Sequence, residues 1–388
     1  LTFEIPCVPV LITAAITLAG FVQAVAGWLA VRRFHAAPRR SGPRPPITVL
    51  KPLHGYEPML EDALASFCGQ DYPCFQIVFG VQDYADPAIA VVERLRARFP
   101  ALDMELVIDP TPHGLNRKVA NLINMFPSAT HGLLVISDSD MHAAPDYLQS
   151  VADAFAEPGT GLVTTLYTGL PARPCLPGML GAAYINQSFA AGALMARELG
   201  RQDCMGATMA LTRETLMRIG GFPALSPFVA DDAVLGAKIR ALGQNVTLAA
   251  SVPATTVTEL KLSALFRHEL RWARTIRAVE PLGFAVSVVQ FPGFWALLTY
   301  VMSGAAAWAG VLWLAAIAVR AVLGRSIERS MGATQTPAWL PALRDVMSMA
   351  VLLAAYLGDD VAWRGHVLTT GEDVNFSAAR PLLAPRRG

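Results

Sequence analysis

An almost unbroken apolar run from Val8 to Val31 sets the first limit on what this chain can fold into. Coiled as a helix, such a run reaches roughly 36 Å, more than the ~30 Å hydrocarbon core of a bilayer. Two readings compete: a retained anchor, and a cleaved signal peptide for which Ala24-Val25-Ala26 would imitate the cleavage site. The flanking charges favour the anchor. Glu4 precedes the run with no lysine or arginine, whereas Arg32, Arg33, Arg39, Arg40 and Arg44 follow it. Positive residues stay on the cytoplasmic side, so the domain that follows is expected in the cytoplasm.

Two further apolar segments, Phe284 to Val301 and Gly304 to Leu323, are separated only by Ser303-Gly304 and read as a transmembrane hairpin. A shorter run, Val346 to Leu357, lies between Arg344-Asp345 and Asp359-Asp360 and reads as an interfacial or re-entrant helix, with a buried core helix as the alternative. Composition agrees with a membrane protein: 53% of residues are apolar and 16% charged, and mean hydropathy is +0.41. A net charge of +1 gives no global attraction to nucleic acid, so no nucleic-acid partner is expected. Five scattered cysteines without a CxxC pair suit a reducing compartment better than a disulfide framework. The expected organisation is an anchor over 1–34, a basic proline-rich linker over 35–46, a catalytic domain over 47–281, the hairpin over 282–325, and a C-terminal region over 326–388 whose helix spans 346–358.

Between the anchors, short apolar runs alternate with helical patterns. Ile47-Thr48-Val49-Leu50, Phe75 to Val81, Met104 to Ile108 and Leu133 to Ser137 are strand candidates; Pro58 to Gln70 and Pro87 to Phe99 read as helices. Such alternation predicts an α/β domain with a mostly parallel sheet, in which ligands bind beyond the carboxyl ends of the strands.

Those ends carry the informative residues. Leu133 to Ser137 runs directly into Asp138-Ser139-Asp140, and residues two apart in extended chain point the same way. Two such carboxylates suit Mg²⁺ or Mn²⁺ bound together with a diphosphate, although a D-x-D alone also occurs in turns and caps. Asp83, closing the second strand, is placed either to bind a nucleotide or to form an Asx turn. Lys51 and Lys118 either neutralise phosphate or are solvated charges. Asp231-Asp232 either caps the following helix or supplies a general base for an acceptor hydroxyl. On the basic stretch before the hairpin, Arg271 would clamp a diphosphate and Trp272 close over the donor, or the helix would only touch anionic headgroups. The segment Gly178 to Met195, with Tyr184, Phe189 and Leu194, either borders an acceptor groove or packs as core.

Seven segments in order resemble the ceramide glucosyltransferase family, a lipid-directed branch of the GT-A glycosyltransferases: Leu50 to Gly55, Ser66 to Pro73, Phe79 to Asp83, Asn116 to Leu122, Ser137 to Asp140, Ala230 to Asp232, and Arg271-Trp272. The resemblance runs from about Ile47 to Pro281. It implies a GT-A domain using a UDP-sugar donor, a membrane lipid acceptor and a divalent metal, with inversion at the anomeric carbon. Carried to matching positions, it implies Asp83 in nucleotide binding, Asp138 or Asp140 at the metal, Asp232 as base, and Arg271 and Trp272 closing the donor site. The family's glutamine or arginine three residues before the Arg-Trp pair is His268 here, which puts that position's donor-site role in doubt. His113 to Lys118, Gly206 to Leu211 and His268 to Ile276 are most similar to a bacterial, hopanoid-associated branch. That branch implies a bacterial inner-membrane location and transfer of N-acetylglucosamine to a polyol hopanoid; transfer of glucose to ceramide is the close alternative. A processive polysaccharide synthase shares several of these elements but needs more spanning helices, and a nucleotide-binding transporter or scaffold leaves the converging carboxylates without a use.

Overall fold

The computed structural model describes residues 7–358, 360–363, 366–370 and 376–381; Glu4 and the end of the 326–388 region lie outside them. Helix α1 (Val8–Ala36) is followed by the alternation β1 (Ile47–Pro52), α2 (Leu60–Cys68), β2 (Phe75–Val81), α3 (Ala88–Arg98), β3 (Asp103–Ile108), α4 (Arg117–Met125) and β4 (Leu133–Ser137). Next come β5 (Met141–His142), α5 (Tyr147–Ala154), β6 (Thr160–Thr164), β7 (Thr168–Pro171) and α6 (Leu176–Ala183). A π-helical turn over Tyr184–Phe189 leads into α7 (Ala190–Glu198), then β8 (Thr208–Thr212), α8 (Arg213–Arg218), α9 (Asp231–Ala241), β9 (Asn245–Leu248) and β10 (Ala254–Val257).

The large sheet has the order β3-β2-β1-β4-β8-β6-β9. It is parallel from β3 to β4 and between β6 and β9, and antiparallel on both sides of β8. Period-two alternation explains why both faces are covered. Ile47, Val49, Ile77, Phe79, Leu133 and Val135 face the core beneath α2, α3 and α5. Leu50, Val78, Leu134 and Ile136 face the opposite core, where α4 and α9 pack with Val119, Leu122, Leu235 and Ile239. A Cβ at Gly80 would collide with Met125 and Asn121, so the bare glycine lets α4 sit directly on β2. Asn121 Nδ2 then donates to the Gly80 carbonyl at 2.7 Å, fixing the helix that carries Lys118. A small sheet, β5-β10-β7, brings Thr255 and Thr256 of β10 beside the segment that follows β4.

After β10 come α10 (Leu262–Val279), α11 (Pro281–Val286), α12 (Pro292–Met302), α13 (Ala307–Ser330) and α14 (Leu340–Ala355), then the antiparallel strands β11 (Asp360–Trp363), β12 (His366–Thr370) and β13 (Phe376–Pro381). Helices α1 and α13 are long and apolar enough to cross a membrane. The first limb of the expected hairpin differs from the continuous Phe284–Val301 reading: Pro281–Gln290 and Pro292–Met302 are bent by 63° at Phe291. The cause is Pro292, which cannot donate its backbone nitrogen to the preceding turn. At 11 residues α12 reaches about 16 Å and does not span alone. The last helix begins at Leu340 rather than Val346, because Arg344 and Asp345 are fully buried within it instead of marking its boundary.

Candidate active site

The site forms where β1 and β4 end side by side. Lys51 of β1 is fully buried, and its ammonium donates to Ser137 Oγ at 3.1 Å and the Asp138 carbonyl at 2.8 Å, 3.3 Å from the centre of the Phe67 ring. Burial pulls its pKa down to about 7 against the opposing pull of Asp140 and Asp138. Of the two readings of Lys51, burial excludes the solvated charge. The ammonium lies under the Asp138 turn and holds that backbone from below.

Asp138 directs its carboxylate to Lys118 Nζ at 2.5 Å, and the same ammonium donates to the Gly206 carbonyl at 3.1 Å. Burial alone would lower the Lys118 pKa, but Asp138 and Asp231 outweigh it and raise it above the ordinary lysine value. Asp140 accepts from Thr255 Oγ1 at 2.5 Å, and its carbonyl accepts from the Thr256 N–H at 3.1 Å. Burial first, and Asp138 second, raise its pKa.

The fourth side of the site is the first turn of α9. Asn116, fully buried, joins it to α4: its Oδ1 accepts from the N–H groups of Lys118 and Val119 as that helix's cap, and its Nδ2 donates to the Phe228 carbonyl at 2.8 Å and Asp231 Oδ1 at 3.2 Å. Asp231 Oδ2 is buried with no hydrogen-bond partner among the described residues. Asp232 accepts from the Ala233 N–H at 2.8 Å, and burial followed by the Asp231 charge raises its pKa to about 6. A Cβ built on Gly206 would lie 2.7 Å from Asp232 Oδ2, so the bare backbone at 206 leaves room for this carboxyl, while the Gly206 carbonyl accepts from Lys118. Gly206→Ala is therefore expected to push Asp232 aside and lower turnover about tenfold or more with donor affinity retained, checked by steady-state kinetics.

Asp138, Asp140, Asp231, Asp232, Lys51 and Lys118 thus form one electrostatically linked cluster. Asp83 stands apart from it, exposed after β2, and accepts from the Ala85 N–H at 2.9 Å as an Asx turn does. Arg271 and Trp272 lie half-buried on α10. His268 is hydrogen-bonded through Nδ1 to Glu259, and its ring lies 4.3 Å from that of Trp272, edge to face. Burial pushes the Glu259 pKa up, but the hydrogen bond and charge of His268, together with backbone N–H donors, outweigh it and hold the carboxyl below its ordinary pKa.

The sequence reading missed Thr255, Glu259 and Tyr167. The Tyr167 ring packs on Phe189 at 4.7 Å, and its phenol pKa is raised by burial and then by Asp232. None of the three sits in a motif; each is delivered by a strand or loop remote in sequence, and only the fold brings it in.

The architecture is that of a GT-A-type nucleotide-sugar fold with apolar helices before and after it. The chain belongs to glycosyl transferase family 21, whose profile matches residues 11–375. It is 22% identical over 269 residues to ceramide glucosyltransferase 1 of Caenorhabditis elegans, a match covering 69% of this chain and 58% of the worm protein. It is 32% identical over 124 residues to the ceramide glucosyltransferase of Komagataella phaffii, covering 30% of this chain and 24% of that one. The chain thus spans little more than half the length of the worm relative. Among solved structures, a mannosyltransferase from Pyrobaculum calidifontis in complex with GDP-Man and Mn²⁺ shares the fold, at TM-score 0.50 and 21% identity over 90% of this chain and 98% of that one.

Proposed function

We propose that this chain is an inverting glycosyltransferase that moves one sugar from a nucleoside diphosphate donor to a hydroxyl of a membrane lipid. The observation that carries the reading is the Asp232 carboxyl, raised to about 6, next to Gly206 and across Lys118 from the Asp138 turn. A carboxylate with that pKa is ionised at neutral pH yet basic enough to take a proton. The lipid hydroxyl gives its proton to Asp232 as its oxygen attacks the anomeric carbon from the face opposite the departing diphosphate. Lys118 and Arg271 neutralise the diphosphate, Asp83 holds the nucleotide, and Trp272, oriented by His268, covers the donor. Lys51 supports the Asp138 turn.

The residues also fit a divalent cation. Asp138 and Asp140 offer hard oxygens, and four carboxylates share this cluster with two ammonium groups, an excess of negative charge that a dication offsets. Among the described residues no three His, Cys, Asp or Glu side chains are placed to hold one metal ion together, so the remaining ligands would be diphosphate and water oxygens. When bound, Mg²⁺ or Mn²⁺ supplies positive charge for the leaving diphosphate. Removal of metal with EDTA is expected to weaken UDP binding about tenfold or more by calorimetry, with Mn²⁺ restoring it and Asp140→Ala abolishing the metal effect. UDP affinity indifferent to EDTA would contradict the metal assignment.

The preferred donor and acceptor are UDP-N-acetylglucosamine and a polyol hopanoid such as bacteriohopanetetrol, supported by the branch-like segments around His113, Gly206 and His268. The ceramide glucosyltransferases among the relatives favour a second reading, UDP-glucose to ceramide. In both, the α/β domain lies at the cytoplasmic face of a bacterial inner membrane, held by α1, α13 and the bent pair. Offering both donor–acceptor pairs to the purified protein separates the two.

A further inference from the structure

The segment from Thr164 to Gly169, between β6 and β7, joins three parts of the molecule that no motif connects. At its start, Thr164 Oγ1 donates to the Thr208 carbonyl at 2.8 Å and accepts from the Met205 N–H at 3.0 Å, so it is tied to both sides of Gly206. At its end, the Gly169 N–H donates at 2.7 Å to Oδ1 of Asn186, fully buried in the π-helical turn. A Cβ at Gly169 would come within 2.7 Å of Ala182, so this stretch lies directly on α6. Between the two ties, Leu166 is fully buried in one apolar cluster with Ala30 and Val31 of α1 and Ile327 of α13, the two helices long enough to span.

Tyr167, the next residue, packs instead with Phe189 and Trp272 around Ile185 and Val257. Two consecutive residues therefore link the spanning helices to the aromatic wall of the site. The Tyr167 ring is half-buried, and among the described residues its hydroxyl makes no hydrogen bond. Burial, then Asp232, Tyr184, Asp138 and Asp140, raise its pKa, so the phenol stays protonated across the neutral range and offers a donor. That open donor stands in the field of Asp232. Thr164, three residues earlier, is bonded to both sides of the glycine that Asp232 lies against.

A lipid whose tail lies beside α1 and α13 meets the site at this corner. Its reacting oxygen gives a proton to Asp232, and a donor bonded to that same oxygen would draw off the electron density needed for attack. The phenol is better matched to a neighbouring oxygen of the headgroup. We propose that the Tyr167 hydroxyl binds a second hydroxyl of the acceptor, next to the one that Asp232 deprotonates, and so selects polyhydroxylated lipids over those with a single hydroxyl; this rests on the lipid-acceptor reading above.

The test is Tyr167→Phe, which keeps the ring against Phe189 and removes only the hydroxyl. Whichever of bacteriohopanetetrol and ceramide accepts sugar is compared with its analogue that retains the glycosylated hydroxyl alone. The wild type is expected to favour the full lipid by about fivefold or more in kcat/KM, the effect of one hydrogen bond. The variant should lose that factor on the full lipid and nothing further on the analogue, with donor KM, UDP affinity and the acid limb of the pH profile unchanged. An equal loss on both acceptors marks a packing role and overturns the proposal, as does full activity on the full lipid or a changed donor KM. Should the variant not fold, the wild type decides alone: a preference for the full lipid supports the proposal, and equal use of both acceptors overturns it. UDP binding with no sugar moved to either lipid removes the proposed reaction itself, and this proposal with it.

Discussion

Asp232→Asn is expected to lower turnover about a thousandfold while UDP still binds, because the amide keeps the shape of the carboxyl but cannot take a proton. The hydrogen bond from the Ala233 N–H and the contact with Gly206 can both persist with an amide oxygen, so the loss reports on chemistry rather than on folding. The pH profile follows from the same group. Burial and Asp231 raise its pKa to about 6, and the proposed base would work only when ionised. Activity should therefore be full above neutrality and fall tenfold per unit as pH drops well below about 6. Steady-state rates from acid to mildly alkaline pH, with UDP affinity measured in parallel, check both parts. Near-normal turnover in the variant would remove Asp232 from the chemistry and return the Asp231-Asp232 pair to a helix-dipole role.

The largest effect on stability is expected at Arg344. Its guanidinium forks onto both oxygens of Glu269, at 2.7 Å each, and adds Ser348 Oγ at 3.0 Å and the Leu180 carbonyl at 3.2 Å. The two side chains are 1% and 5% exposed, so neither ion has water to fall back on. Arg344→Met strands the Glu269 carboxylate in that environment, at a cost of about 3–5 kcal/mol. For a chain of this size that is a melting temperature lower by roughly 4–6 °C. Because α10 carries His268, Arg271 and Trp272, donor closure should weaken before the protein unfolds. The double variant Arg344→Met/Glu269→Leu removes the stranded charge and should recover most of the loss. Melting curves in detergent distinguish this from a solvent-screened pair, for which the single variant would change little.

Much of the α/β domain was legible because its signals are local. Short, nearly continuous apolar runs in Ile47–Leu50 and Leu133–Ser137 mark buried strands, and the position of Asp138-Ser139-Asp140 directly after one of them sets it apart from other D-x-D matches. What was misread depends on partners distant in sequence. Arg344-Asp345 looks like a helix boundary because charge normally means solvent; here Glu269 and Arg320, 75 and 25 residues away, make burial tolerable. Lys51 allowed a solvated charge as one of its readings because nothing near it in sequence reveals that Phe67 and the Asp138 carbonyl enclose its ammonium. The break at Phe291 was locally written, since Pro292 stands in plain view, but an apolar run long enough to span drew attention from it. Thr255, Glu259 and Tyr167 carried no local signal.

The measurement that tests the central claim most directly is an in-vitro transfer reaction on the detergent-solubilised chain. UDP-N-acetylglucosamine or UDP-glucose is offered with bacteriohopanetetrol or ceramide, with Mn²⁺ or with EDTA, and the products are weighed by mass spectrometry. The account predicts a single sugar added to one lipid, lost with EDTA and lost in Asp232→Asn. A polymer of sugars, or tight UDP binding with no sugar transferred to either lipid, would contradict it.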